Sequence, residues 1–416
     1  MKLKIVLAGL AAFMLSGCIS GPDSQGWRYG QKQAFLSILK TDKYMSLCEQ
    51  KPLYEQVKQT NSSVLMTRLL VKYTENLANG CIDIAQFNAS QKAKKRREID
   101  THYGMVMQTV NRANIMAKIK AGVSVEAILK PYIPQVTAFN ALIQNYHALE
   151  NEHNVSASVL HKVRLNIERV KLLPTSFGTH YLLMNIPEMK VRLFENGKKN
   201  VEFRTVVGKR NMQTPIFSAK LQYVMVNPQW NVPDSIARKS IIPRYVRGGN
   251  GYLAAKGMEI HRSYDLASPK VNGANVDWSK YPKTKKGYVP YKFIQKPSLK
   301  NGLGRVKFMF PNHFAVYMHD TQAKSLFKRA SRCYSHGCIR LEKPVTLLNY
   351  VTEHYTNETV QSVTKRYNSR KSYMLRVAKP LAVHVSYLTA YVDTDGKLRL
   401  FNDVYGFDKS QKLTFK

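Results

Sequence analysis

Apolar positions recur at helical spacing through the first part of the chain. Leu65, Leu69, Tyr73 and Leu77 repeat every fourth residue, the period of one helix face. Ser62 or Ser63 stands where a cap is needed, and Gly80 where a helix would end. Phe139, Leu142, Ile143, Tyr146 and Leu149 form a second stripe after Pro131 and Pro134, and Val159, Leu160, Val163, Ile167 and Val170 a third, closed by Pro174. Such stripes are core faces. The run Lys94-Lys95-Arg96-Arg97 reads as a solvated face, and no internal repeat is evident. The pattern changes near Gly178. His180–Ile186 and Val191–Phe194 alternate or cluster as strands do, and Asn196-Gly197 predicts a hairpin into Val201–Val207. Leu221–Val226, Val306–Phe310 and Ala315–Met318 read as further strands, and a helix is expected after Pro344 through Leu347, Leu348 and Val351. Val383–Val392 and Leu398–Tyr405 flank Asp395-Gly396, a second hairpin signal. Residues 238–300 hold Gly248-Gly249-Asn250-Gly251 and many Pro, Lys and Tyr, a composition typical of lids and binding loops. The expected fold class is α+β: a helical scaffold over 18–178, then a β-rich domain over 179–416 with an inserted lid subdomain at about 238–300.

The N-terminus adds a location. Lys2 and Lys4 precede a short apolar run, Ile5–Met14, and Leu15-Ser16-Gly17 leads into Cys18. The run is too short for an ordinary spanning helix and has the charge order of an export signal, expected to occupy residues 1–17. Leu-Ser-Gly-Cys is similar to the bacterial lipobox. That resemblance implies cleavage before Cys18, lipid on its sulfur, and a membrane partner reached through that lipid; more than one acyl chain would anchor it stably. Ile19 rather than Asp after Cys18 points, by analogy, to the periplasmic face of the outer membrane.

Charge then narrows the partners. The chain of 416 residues carries 64 Lys+Arg against 27 Asp+Glu, a formal net charge of +37. A field of that sign favours acidic partners. Export sets nucleic acid aside and leaves the acidic wall and envelope surface. An exported protein is permitted disulfides. Cys48 and Cys81 are the expected pair, with two buried free thiols as the alternative, and Cys333 is expected to stay unpaired.

The chemistry concentrates in two runs, Tyr317-Met318-His319-Asp320-Thr321 and Ser335-His336-Gly337-Cys338-Ile339-Arg340. A thiol is mostly protonated at neutral pH, and a neighbouring imidazole can take its proton and return it to a leaving amine. Cys338 is therefore the candidate nucleophile and His319 its base. Gly337 lets the backbone approach a substrate, and N–H groups there could hold an oxyanion. Either the Asp320 side chain or a backbone carbonyl is expected to orient His319. Two other readings compete: a zinc site of Cys333, His336 and Cys338, whose spacing is not a usual ligand frame, and a Cys333–Cys338 disulfide.

Ser-His-Gly-Cys-Ile-Arg with an upstream His resembles the signature of the L,D-transpeptidase (YkuD-type) family. Asn227–Pro233, Asn301–Phe308, Tyr317–Thr321 and Tyr387–Asp393 are similar to its large, lid-bearing Gram-negative (YcbB-like) branch, and the likeness covers roughly residues 130–416. The resemblance implies a cysteine peptidyltransferase without cofactor or metal. Its substrates would be peptidoglycan stem peptides: Cys338 attacks the diaminopimelate–D-Ala bond of a tetrapeptide, D-Ala leaves, and a second diaminopimelate amine resolves the thioester as a 3→3 crosslink. Carbapenems would acylate Cys338. Gly337, His336 and Ser335 become motif and oxyanion-hole residues, His336 in a supporting role. Arg340, Trp230 and Asn231 become substrate-binding residues, and residues 238–300 a lid over the donor groove. A carboxypeptidase would supply the tetrapeptides. Water as the acceptor would give an L,D-carboxypeptidase or a hydrolase releasing wall-attached lipoproteins, and loss of catalysis a wall-binding lipoprotein.

Overall fold

The computed structural model describes residues 21–93, 107–285 and 287–415. The expected export signal, Cys18 and the Lys94–Arg97 run lie outside the described residues. The chain divides into two compact units, residues 1–78 with 109–133, and residues 79–108 with 134–416.

The first unit is helical. It holds α1 (Tyr29–Lys40), α2 (Lys51–Thr60), most of α3 (Ser63–Asn79), and, past α4 (Ile84–Ala93) of the other unit, α5 (Arg112–Lys120) and α6 (Val125–Leu129). The Leu69, Tyr73 and Leu77 stripe of α3 is fully buried, and Leu65 is half-buried. Ser62 caps α3 by accepting from the Leu65 N–H at 3.4 Å. Trp27 stacks on Phe35 and donates its indole N–H to Thr67 at 2.9 Å, so the largest core side chain leaves no polar atom unpaired.

The second unit takes in α7 (Thr137–Glu150) and α8 (Ala157–Lys171) along with the sheet, so these two helices group with the β-rich part rather than with the preceding helices. Both pack against a hairpin near the C-terminus. Residues Val163–Lys171 of α8 are buried on every side. Its charged residues are paired inside the protein: Arg164 with Glu168, Lys171 with Glu168 at 3.2 Å, and Arg169 with Asp408 at 2.7 Å. Polar groups enter such a core only when their partners enter with them.

The strands of this unit follow as β1 (His180–Asn185), β2 (Lys190–Glu195), β3 (Lys198–Gly208), β4 (Phe217–Val226), β5 (Trp230–Asn231), β6 (Met258–His261), β7 (Lys292–Gln295), β8 (Val306–Met309), β9 (Met318–His319), β10 (Cys333–Ser335), β11 (Ile339–Leu341), β12 (Tyr373–Ser386), β13 (Ala390–Val392) and β14 (Leu398–Leu400). Nine of them form one sheet in the order β10-β3-β11-β9-β8-β4-β12-β1-β2, and β2 also pairs with β3, which closes it. Closure removes the free edges an open sheet would present. The Asn196-Gly197 hairpin is present between β2 and β3, both residues with positive φ. Two strand expectations change. Ala315–Met318 shortens to Met318–His319, because Ala315 has φ 53° and the Asn312 carboxamide oxygen accepts from the Phe314 and Val316 N–H groups. The second hairpin is also shorter: Val383–Ser386 belongs to β12 in the closed sheet, and only Ala390–Val392 pairs with Leu398–Leu400. The helix after Pro344 is α11 in chain order, preceded by α9 (Asp234–Ile236) and α10 (Ile242–Lys256); it spans Pro344–Tyr355 and is followed by α12 (Val360–Asn368) and α13 (Phe407–Ser410).

The insertion starts at β5, a few residues before the expected 238. β5, β7 and β6 form a three-stranded sheet on which α10 packs. Its core is its own, with Val232, Ile241, Ile242, Tyr245, Ile260 and Phe293 buried together. The glycine-rich stretch is no free loop: it lies within α10, which breaks at Gly249. Asn301 ties the insertion to the closed sheet, its Nδ2 donating to the Pro228, Gln295 and Lys296 carbonyls.

Cys48 and Cys81 are both buried, and Cys333 and Cys338 are free thiols. The expected Cys48–Cys81 bridge has a direct test. Alkylation of unfolded, unreduced protein should label Cys333 and Cys338 but neither Cys48 nor Cys81, and labelling of all four would remove the bridge.

Candidate active site

Strand pairing assembles the site. β11 runs parallel to β9 with Arg340 opposite His319, and the Ile339 N–H donates to the Tyr317 carbonyl at 3.0 Å. That register sets Cys338 beside Tyr317, one strand over from the imidazole. On the other side of β9, β8 runs antiparallel with Lys307 opposite His319. Two residues far apart in sequence thus flank one histidine.

Cys338 follows a turn that only glycine makes comfortably, since Gly337 has φ 116°. Ser335 is buried, and its Oγ accepts from the Gly337 N–H at 3.1 Å. The Gly337 carbonyl accepts from Thr214 Oγ1 at 2.7 Å. The expectation that the Gly337 N–H serves an oxyanion is therefore revised. That donor is committed to Ser335, and the Cys338 N–H is the candidate that remains. The thiol itself is half-buried and contacts the Ala315 carbonyl at 3.9 Å. Burial pushes its pKa up; the Tyr317 backbone and hydroxyl, with the Lys307 and Arg340 charges, work against that.

His319 is buried. Its Nδ1 sits 2.5 Å from the Asp320 carbonyl oxygen, which fixes the proton on Nδ1 and leaves Nε2 as the basic nitrogen. Burial first, then the Arg340 charge, brings its pKa down to about 3, so the imidazole is neutral at physiological pH. The orienting group is the backbone carbonyl and not the Asp320 carboxylate. That carboxylate turns the other way, accepting from the Arg305 N–H at 2.9 Å, the Thr321 N–H at 2.7 Å and Lys324 Nζ at 2.5 Å. It fits there because Gly304, with φ 65°, has no side chain: a Cβ would lie 2.3 Å from the Asp320 carboxyl carbon. Among the described residues no hydrogen bond joins imidazole to thiol. Such contacts are often loose in a free enzyme and tighten with substrate.

The other expected residues divide. Arg340 is half-buried beside the thiol, and its Nε has no hydrogen-bond partner. His336 is exposed on the turn. Trp230 packs on the insertion's core and against Gly302, and Asn231 accepts from Gln229 Nε2 at 2.6 Å. Neither hydrogen-bonds the Cys338 cluster among the described residues. Two further residues enter the site that residue patterns left without a role. Tyr317 has its ring 5.6 Å from that of His319, and burial pushes its hydroxyl pKa well up. Lys307 has Nζ 3.9 Å from the Tyr317 ring centroid. Tyr317 stands two positions before His319, so strand alternation could have flagged it. Nothing local flags Lys307, whose place depends on the β8–β9 pairing.

With this geometry established, comparison with known proteins is informative. Residues 179–364 match the YkuD L,D-transpeptidase catalytic domain. Cys338, His319, Lys307 and Arg340 all fall inside the matched segment. A candidate L,D-transpeptidase of Haemophilus influenzae is 27% identical over 258 residues, covering 62% of this chain and 50% of its own length. The chain thus spans about half the length of that curated relative. Aligned solved structures include the Ldtfm–avibactam carbamoyl enzyme, with 11% identity, 51% of each chain covered and a TM-score of 0.23. An L,D-transpeptidase from Mycobacterium smegmatis aligns with 13% identity, 50% of this chain, 58% of its own and a TM-score of 0.20. Overlap this low adds nothing to the assignment. The matched segment begins at 179, whereas the compact unit that contains it also includes α4, α7 and α8.

Proposed function

We propose that this chain is a peptidoglycan L,D-transpeptidase with Cys338 as nucleophile and His319 as general base, a lipoprotein of the lid-bearing branch held at the outer membrane through Cys18. The observation that carries the catalytic part is the pairing of β9 with β11. It brings a neutral imidazole, its Nδ1 capped by the Asp320 carbonyl, one strand away from a half-buried free thiol inside a segment matching the L,D-transpeptidase catalytic domain.

The steps follow from the charges. Burial raises the thiol pKa and lowers that of His319, so the resting pair is thiol and neutral imidazole. Attack on the diaminopimelate carbonyl is then coupled to transfer of the thiol proton to His319 Nε2. The developing oxyanion takes the Cys338 N–H. The imidazolium returns its proton to the D-Ala amine as the C–N bond breaks, leaving a Cys338 thioester. A diaminopimelate amine attacks that thioester, gives a proton to His319, and the thiol is re-formed. Arg340, with an unpartnered Nε, is placed to receive a stem-peptide carboxylate. The insertion with Trp230 and Asn231 covers the donor groove in this reading, and a carboxypeptidase supplies the tetrapeptides.

Incubation with tetrapeptide-rich wall material, followed by muropeptide analysis, tests this. Dimers with 3→3 links and free D-Ala are expected from wild type and absent with Cys338→Ala. Trimmed tripeptides without dimers would instead identify an L,D-carboxypeptidase or hydrolase, and no product at all a wall-binding lipoprotein.

A further inference from the structure

Two cations stand beside Cys338 without a carboxylate. Lys307 and Arg340 are half-buried, and among the described residues neither has an acidic side chain within ion-pair distance. The nearby Asp320 carboxylate is taken up by Lys324 and two backbone N–H groups. Cations drawn partly out of water are stabilised by a facing negative charge. Strand pairing gathers the two beside the sulfur: Lys307 on β8 and Arg340 on β11 both lie opposite His319, and the Ile339 N–H bond to the Tyr317 carbonyl sets Cys338 at the same end of β11; both charges couple to the Cys338 thiol. Tyr317 completes the set: its hydroxyl also interacts with the thiol, and Lys307 Nζ lies 3.9 Å from the centre of its ring.

We propose that Lys307, seconded by Arg340, is the electrostatic partner of the negative charge that builds on the Cys338 sulfur as His319 takes its proton, so that fixed cations, and not the imidazolium alone, stabilise the thiolate. This rests on the reading of Cys338 as nucleophile. The groups facing the thiol are Lys307 from β8, Tyr317 and His319 from the β9 segment, and Arg340 from β11. His319 is the poorest cation among them. It is buried between the two standing positive charges, which both oppose its protonation, and its Nδ1 proton already serves the Asp320 carbonyl. Its task is then confined to moving protons. Lys307 is a positioning residue that sets how readily the sulfur accepts negative charge.

The test is the pH dependence of Cys338 alkylation by iodoacetamide, followed by peptide mass spectrometry in the full chain with Cys333→Ser. Lys307→Met should move the midpoint up by about one pH unit or more, which slows alkylation roughly tenfold at neutral pH. Lys307→Arg should restore it. His319→Gln should leave the midpoint in place while turnover collapses. A midpoint unmoved by Lys307→Met, or equally moved in Lys307→Arg, overturns the proposal, as does an upward shift in His319→Gln. If wild-type Cys338 neither alkylates at any pH nor turns over wall peptide, the functional reading itself fails, and that outcome is distinct from the others.

Discussion

Cys338→Ala should abolish thioester formation while leaving the protein folded. The expected loss of turnover is on the order of 10⁴-fold or more, as for other nucleophile deletions. The stability change should stay within about 1 kcal/mol, because the side chain is only half-buried and its contact with the Ala315 carbonyl, at 3.9 Å, is a weak sulfur hydrogen bond. A carbapenem gives the most direct readout. Wild type should gain the drug's mass on the peptide containing Cys338, and the variant should gain none. An equal adduct on the variant would move the nucleophile elsewhere. Cys333 is the other free thiol near this turn, so its peptide is the internal control. Cys333 sits on β10, whereas Cys338 leads into β11, and these strands pair with opposite sides of β3. An adduct at Cys333 would therefore mean that the reactive face of the sheet had been misassigned.

The candidate nucleophile and its candidate base stand out in the sequence because their signals are local. Gly337 must adopt φ 116°, and Ser, His and Cys around it leave few other uses for such a turn. The group that orients His319 was not readable. Asp320 offers a carboxylate and a carbonyl at the same sequence position, and the choice depends on Gly304, sixteen residues upstream, leaving room for the carboxylate to turn away. Lys307 was hidden for a related reason. It is one polar residue in an apolar strand until β8 pairs with β9 and sets it opposite His319. The helices show the same limit. The stripe Val163, Ile167 and Val170 correctly gave a buried face of α8. The opposite face, with Arg164, Glu168 and Lys171, looks solvated in sequence but is buried, because each charge brings its partner inside. Periodicity registers hydrophobicity and is silent about paired charge. For the same reason, periodicity grouped α7 and α8 with the helices before them, whereas their packing places them with the sheet. The closed sheet was only half visible: the β2–β3 hairpin is written in Asn196-Gly197, but the pairing of β3 with β11 joins segments more than a hundred residues apart.

His319→Gln should do two opposite things, and together they separate a catalytic from a structural role. Turnover at neutral pH should fall by about 10² to 10⁴-fold, the usual contribution of a general base. Stability in acid should improve relative to wild type. In the unfolded chain an imidazole titrates near ~6.5, whereas in the folded protein burial and the Arg340 charge hold His319 down to about 3. Between those values the unfolded chain binds the extra proton, so wild-type stability rises with pH. The contribution of neutral His319 is complete above the unfolded value and is lost as pH falls toward the folded one. At pH 4 the loss amounts to about 3 kcal/mol from this group. The glutamine side chain cannot titrate, so the variant escapes that part. His384, also buried and lowered to about 4, loses stability in the same direction but is present in both proteins and cancels in the comparison. The measurement is urea denaturation of both proteins at pH 8 and pH 4. The stability difference, variant minus wild type, should shift by about 3 kcal/mol in favour of the variant at the lower pH. Any fixed cost of losing the bond to the Asp320 carbonyl appears at both pH values and drops out. An unchanged difference would mean that His319 is not held neutral by its surroundings. Its Nε2 would then not be the standing base that the coupled attack by Cys338 requires, and a charged imidazole would have to be reconsidered as the partner of the thiolate.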